Sequence, residues 1–169
     1  MTFNPVGEII GMLASLPPAV QVFLLAMLPF TELRLSIPVG IGVLHMDPLT
    51  VFLVSVAGNI LPVPIILAFF GRVERFLRRF PFFDRLFDRL FDRTFRRAKA
   101  RVLMLEEIGL VAFVAIPLPV TGAWTGSLIA YIFDLDLRKS LLVISAGVII
   151  AGLAVTAVVL LGIHFLGVA

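Results

Sequence analysis

Cysteine is absent from the 169 residues. No disulfide, thiolate metal site or cysteine nucleophile can form. Charge is scarce too: Asp, Glu, Lys and Arg make up 15% of the chain, against about 25% in ordinary soluble domains. Tryptophan and tyrosine occur once each. No Ser-His-Asp arrangement, HExxH, P-loop or paired-carboxylate motif is present. Catalysis therefore finds no support, and no cofactor or metal is expected. Met1 to Leu16 has no basic stretch ahead of its apolar run, so no signal peptide is read there.

What is present is hydrocarbon. The chain is 60% hydrophobic, with a mean hydropathy of +1.12. Soluble domains are about 45–50% apolar, and a chain of this length cannot hide such an excess in one core. A bilayer removes the difficulty. The expected class is an all-α integral membrane protein forming one membrane domain.

The basic residues are unevenly placed. Of 14 Lys and Arg, 11 fall between Arg72 and Arg101; the rest are Arg34, Arg138 and Lys139. A basic block beside apolar spans marks the cytoplasmic side. Nucleic-acid binding, the other use of such a block, does not suit a lipid-soluble chain.

Residues 3–16 are mildly apolar, end at Pro17-Pro18 and are too short to span, so they suit an interface. Residues 19–46 are apolar but interrupted by Pro29, Thr31, Glu32 and Arg34. As one helix they would hold two charges at depth, costing about 2.5–3.5 kcal/mol each on insertion scales. As half-helices, 19–29 and 32–45, neither spans: about eleven residues rise about 16 Å, against about 30 Å of hydrocarbon. The expectation is a re-entrant hairpin. Residues 48–70 form a first clean span, opened by Asp47-Pro48 and broken lower down by Asn59, Pro62 and Pro64. Residues 71–104 are a charged linker in which Phe83, Phe87, Phe91 and Phe95 recur four apart, as on an amphipathic surface helix. A partner-binding arm is the alternative. Residues 106–133 are a second broken segment, interrupted at Pro117, Pro119, Thr121 and Gly122. Residues 140–166 are a second span, with Gly147, Gly152 and Gly162 allowing close helix approach.

The two halves repeat. Pro29-Phe30-Thr31 aligns with Pro119-Val120-Thr121, Asp47 with Asp136, and Ala57-Gly58 with Ala146-Gly147. The expected organisation is a first repeat over 1–70, the linker over 71–104 and a second repeat over 105–169. Charge at the linker and at Arg138-Lys139 places both cytoplasmic ends on one side. The repeats would then be inverted, each a re-entrant helical hairpin followed by a transmembrane helix, with both termini outside and a site near the midplane between the hairpins.

Glu32 and Arg34 are the formal charges deepest in an apolar segment. A buried Glu can exchange a proton near physiological pH, and Arg can grip phosphate or carboxylate. The bland alternative is that they pair and hold the hairpin. Half-helix N-termini at Thr31–Glu32 and at Thr121–Gly122 would add positive dipole ends. Thr121, Trp124 and Thr125 would line the opposite wall, although Trp124 also suits packing or interface anchoring. Asn59 is a candidate ligand or a structural hydrogen bond to a hairpin. His45 and His164 are read as interfacial. Pro29, Pro38, Pro117, Pro119, Gly122 and Gly126 are the expected hairpin breaks.

The runs PFTELRLSIPVG at 29–40 and IPLPVTGAWTG at 116–126 resemble the motifs of the small multidrug export family, over roughly residues 20–165. That family is in turn distantly similar to the DedA/VTT membrane proteins, which include lipid-carrier flippases and scramblases. The resemblance marks Glu32, Arg34, Pro38, Pro117, Pro119, Thr121, Gly122, Trp124 and Gly126 as motif positions. It implies an exporter in the cell (inner) membrane; the facing tips with one acid and one base add the expectation of a small anionic or amphipathic substrate and of proton coupling. Lipid flipping, as of a polyprenyl phosphate, is the alternative; a non-transporting scaffold is the third. Membrane lipids and a second copy, as a homodimer, are the expected partners; nucleic acid is not.

Overall fold

A computed structural model describes residues 15–82, 84, 85, 88, 106–116, 121–133 and 135–166. The interfacial segment before residue 15, Phe83, Phe87, Phe91, Phe95, Pro117, Pro119 and Asp134 lie outside the described residues. Every regular element described is helical. In chain order these are α1 (Pro18–Met27), α2 (Glu32–Pro38) running into a π-turn (Val39–Val43), α3 (Pro48–Ile60), α4 (Pro62–Leu77), α5 (Glu106–Ala115), α6 (Ala123–Ile132) and α7 (Leu137–Leu166).

The boundaries follow local chemistry. Pro18 opens α1 at the first helical position, where its missing N–H costs nothing. Leu28 ends it in an extended conformation (ψ 140°), as steric clash with Pro29 requires. Asp47 caps α3 by accepting from the Thr50 amide at 2.9 Å. Asp136 caps α7 by accepting from the Arg138 and Lys139 amides at 3.0 Å each. These two aligned aspartates thus do the same work.

Two expected breaks are not breaks. Pro38 lies inside α2 and is followed by the π-turn rather than a chain reversal. The ring removes one donor from the ladder, and the helix widens to absorb the loss. Gly126 lies inside α6, where a Cβ would sit 2.6 Å from Val114 Cγ2. It permits a close approach of α5 and does not interrupt a helix. Gly162 also departs from expectation, for among the described residues nothing lies within 4 Å of its Cβ position.

Two helical stretches, Pro48–Leu77 and Leu137–Phe165, are long and apolar enough to cross a membrane. The first continues past residue 70 into the basic region. Leu49, Leu53, Ile65 and Phe69 on it, and Leu142, Leu153, Val158 and Leu161 on the second, are exposed. An apolar surface of this kind fits a bilayer or a protein partner.

The chain divides into two compact units. The first holds α1, α2, the π-turn, most of α3 and α7 from Ala151 onward. Its core is Val22, Leu25, Ala26, Leu33, Ile37 and Val51. A Cβ on Gly58 would meet the Phe23 carbonyl at 2.6 Å, and one on Gly40 would meet Val51 Cγ1 at 2.7 Å. Both glycines therefore set how closely α3 approaches the first hairpin. Gly152 of α7 lies against Phe52 and Val56 of α3.

The second unit holds α4, α5, α6 and α7 up to Ile150. Val63, Leu110, Val114, Ala123, Ala130, Ile144 and Val148 form its core. Gly147 of α7 packs on Val111 and Val114, where a Cβ would come within 2.7 Å of Val114 Cβ. Gly71 of α4 leaves room for Tyr131 of α6.

Candidate functional site

The tip of the first hairpin is residues 28–32. Its backbone is tied by amides of Thr31 and Glu32 donating to the Leu28 carbonyl, the latter at 3.1 Å. The Thr31 hydroxyl donates to the Leu25 carbonyl, one of those left open at the end of α1. Glu32 then starts α2 with φ 44°, a conformation costly for a residue with a side chain. Glu32 is buried, at 4% exposure. Arg34 Nη1 approaches Glu32 Oε2 at 3.4 Å, with about a quarter of the arginine side chain (26%) exposed. That contact is longer than the roughly 2.7–2.9 Å of a strong charged pair.

Polar groups line the face that α2 turns to α3. Ser36 Oγ donates to Ser55 Oγ at 2.9 Å, and both residues are fully buried. Asn59 follows one turn beyond Ser55 on α3. It is 1% exposed, and its Oδ1 has no hydrogen-bond partner among the described residues. Thr31, Glu32, Arg34 and Asn59 thus fall in the first unit.

Thr121, Trp124 and Thr125 fall in the second unit. The Thr121 hydroxyl donates to the Ile116 carbonyl at 2.6 Å, bridging the second break as Thr31 bridges the first. Gly122 precedes α6 at φ 149°, a region closed to other residues, and its carbonyl accepts from the Gly126 amide at 2.8 Å. Trp124 and Thr125 are half-buried on the first turn of α6. Both tip threonines commit their hydroxyl hydrogen to the backbone, which leaves only lone pairs for a ligand.

A second buried carboxylate escaped notice in the sequence. Glu74 near the end of α4 accepts from the Tyr131 hydroxyl at 2.5 Å and from Arg78 Nε at 2.7 Å. Tyr131 stacks edge-on against Phe70 at 5.0 Å. Arg78 Nη1 also reaches Asp84 at 2.9 Å and Asp88 at 2.8 Å. The hydrogen bonds that Arg78 donates to Asp88 and Glu74 hold its guanidinium further above its usual range; partial burial opposes them and the bond to Asp84 adds a smaller push. The available signal was Glu74 and Arg78 four apart on a helix, beyond a glycine. Ser36 and Ser55 gave no comparable signal, since small hydroxyls are common in apolar helices.

No curated protein and no solved structure matches the chain. The family model described as "putative small multi-drug export protein" matches residues 32–154. The match begins at Glu32, the first residue of α2, and takes in the Glu32–Arg34 pair, Asn59, the second tip and the Glu74 network. With apolar spans and a buried polar tip already in place, the chain belongs to this family of small multi-drug export proteins.

Proposed function

We propose that the protein is a membrane transporter that exports a small anionic or amphipathic molecule, with proton coupling through Glu32. One observation carries this: a buried carboxylate at the tip of a broken helix, in a strained conformation, held by an arginine at 3.4 Å. A group kept only to hold the fold would be expected in a shorter pair, as Glu74 is. Glu32 is the proton carrier and Arg34 the clamp for the substrate's negative group. Binding substrate at Arg34 loosens its hold on Glu32, which favours the protonated acid. That exchange links the two cargoes.

Membrane orientation belongs to the same proposal. Arg72, Arg75 and Arg79 beyond the first span, and Arg138 and Lys139 ahead of the second, face the cytoplasm. The two broken segments then enter as re-entrant hairpins from opposite sides, as inverted repeats. The cysteine-free chain permits single-cysteine labelling without background. Labelling of Arg79→Cys and Arg138→Cys from the same side supports the orientation; opposite sides overturn it.

The transport test uses proteoliposomes under an imposed pH gradient, loaded with lipophilic anionic dyes. Wild type should export faster when the proton gradient runs outward with the dye, because substrate and proton bind together, and Glu32→Gln should lose that acceleration. Equal rates across a pH series would remove the coupling role. Phe30, 96% exposed beside the tip, favours a second reading in which the cargo is a lipid phosphate whose tails stay in the bilayer. A fluorescent-lipid flipping assay separates the two.

A further inference from the structure

We infer that the exposed side of α4 carries a binding surface for anionic phospholipid headgroups, built from Arg72, Arg75 and Arg79 and flanked by exposed phenylalanines. The surface goes beyond the transport reading and does not rest on it: neither Glu32 nor Arg34 takes part, and the lipid is a neighbour of the protein rather than its cargo.

Position comes from how α4 distributes its charges. One side of the helix faces α6, where Gly71 lies against Tyr131 and Glu74 accepts from the Tyr131 hydroxyl. Arg78 gathers Glu74, Asp84 and Asp88 at 2.7, 2.9 and 2.8 Å. Those three are the acids described between Gly71 and Asp88. Arg72, Arg75 and Arg79 follow one another at steps of three and four residues, so they form a row along the helix. All three are exposed. Among the described residues none of them pairs with a carboxylate. The segment thus commits its acids to Arg78 and leaves three positive charges in line, over about 10 Å.

Aromatic rings hold this row. The Arg72 guanidinium lies over the Phe69 ring, 4.8 Å from its centroid, and that of Arg79 lies over Phe76 at 5.7 Å. The same Phe-x-x-Arg pairing therefore recurs two turns along. Phe80 meets Phe76 edge-on at 6.1 Å, which extends the stripe of rings beside the arginines. Arg75 turns back along the helix and donates Nε to the Gly71 carbonyl at 3.1 Å. A guanidinium placed over a ring still offers its N–H fork, and that fork matches two oxygens of a phosphate.

Continuity decides the kind of partner. Leu61, Ile65, Phe69 and Val73 are four apart and all exposed, so the apolar stripe runs from the span directly into the arginine row. Along the helix axis this order is apolar side chains, then aromatic rings, then arginines. It matches acyl chains, the interfacial layer and anionic headgroups in turn. A soluble phosphate would leave Phe69, Phe76 and Phe80 in water. An acidic peptide would account for the arginines but not for the stripe that continues into the span.

The test uses the full chain, delipidated in an uncharged detergent, with native mass spectrometry to count bound lipid. The probes are a phosphatidylglycerol and a phosphatidylcholine with the same tails. Wild type should prefer the anionic lipid by at least about tenfold, within what three arginines supply near an anionic surface. Arg72→Gln/Arg75→Gln/Arg79→Gln should bring the two lipids to within about twofold of each other. Arg138→Gln/Lys139→Gln, which removes two charges elsewhere, should keep the preference. An unchanged preference in the triple variant, or an equal loss in both variants, overturns the surface. If the glutamine variant fails to fold, Arg72→Lys/Arg75→Lys/Arg79→Lys replaces it. Lysine keeps the charge and lacks the fork, so the preference should fall by at least about threefold; no fall overturns the proposal. Two competitors identify the source of the phosphate. Glycerol phosphate, a headgroup without tails, should not displace phosphatidylglycerol at equal concentration; displacement would make this a site for a soluble anion and overturn the lipid surface. Polyglutamate that binds the row in a wild type showing no lipid preference would assign it to an acidic protein and overturn it equally.

Discussion

The two units solve one local problem alike and a second one oppositely. Each has a helix interrupted at a proline-containing tip, and each ties that tip with a threonine hydroxyl donated to a backbone carbonyl: Thr31 to Leu25, Thr121 to Ile116. Among the described residues, each also buries one glutamate. In the first unit the acid stands at the tip, strained, beside an arginine at 3.4 Å. In the second it stands near the far end of α4, gripped by a tyrosine at 2.5 Å and an arginine at 2.7 Å. On the transport reading proposed above, the difference separates a carboxylate able to change partners from one that holds helices together. A tight, multiply bonded pair resists protonation and exchange. A loose one can be tuned by a ligand.

The comparison breaks most readily at the glycines that close each unit. Gly58→Val and Gly147→Val should each cost about 3 kcal/mol, because backbone or branched side chains stand where the new atoms must go. Gly42→Ala and Gly162→Ala, which meet nothing within 4 Å, should leave thermal stability in detergent unchanged. Equal losses in all four would mean that close approach is not what these positions supply.

The carboxylates sharpen it next. Glu74→Gln should lower stability by about 2 kcal/mol, since Arg78 loses its most buried partner. Glu32→Gln should cost under about 1 kcal/mol while abolishing the pH dependence of transport. Thermal unfolding and dye export on the same preparations test the contrast. A large stability loss in Glu32→Gln would make the first pair structural too.

Smaller effects follow at the tips. Thr31→Val should cost about 1 kcal/mol and Thr121→Val less, because Thr31 is buried and Thr121 half-exposed. The serine pair should behave as a cycle: Ser36→Ala and Ser55→Ala each strand one hydroxyl, whereas the double variant approaches wild type. The smallest expected change is with pH at Arg78. Its pKa is raised on folding, so its stabilisation is complete below the unfolded value and is lost only above it. The stability difference between wild type and Arg78→Gln should therefore be the same at pH 7 and pH 9; a narrowing gap would show that the arginine itself titrates there.

Much of the local structure was legible. Pro29 ends the first half-helix near where expected, because an X-Pro bond forces the preceding residue out of the helix. Asp47 and Asp136 cap the helices that follow them, and the half-helices start at Glu32 and Ala123. Pro38 and Gly126 misled, because a proline or glycine reads the same whether it breaks a helix, widens it or admits a neighbour. Only the packed partner decides which, and for Gly126 the partner is Val114.

The same division runs through the whole molecule. Sequence alone determined the membrane class, the two helices apolar and long enough to span, and the interruptions in the apolar segments that precede them. Hydropathy, proline and charge act over a few residues and need no partner. Tertiary structure decided that Ser36 meets Ser55, that Tyr131 closes on Glu74 and that Asn59 is buried with an unsatisfied oxygen. Those facts depend on the register of one helix against another. Register is set by side-chain volume at contacts far apart in the chain, which no local pattern records.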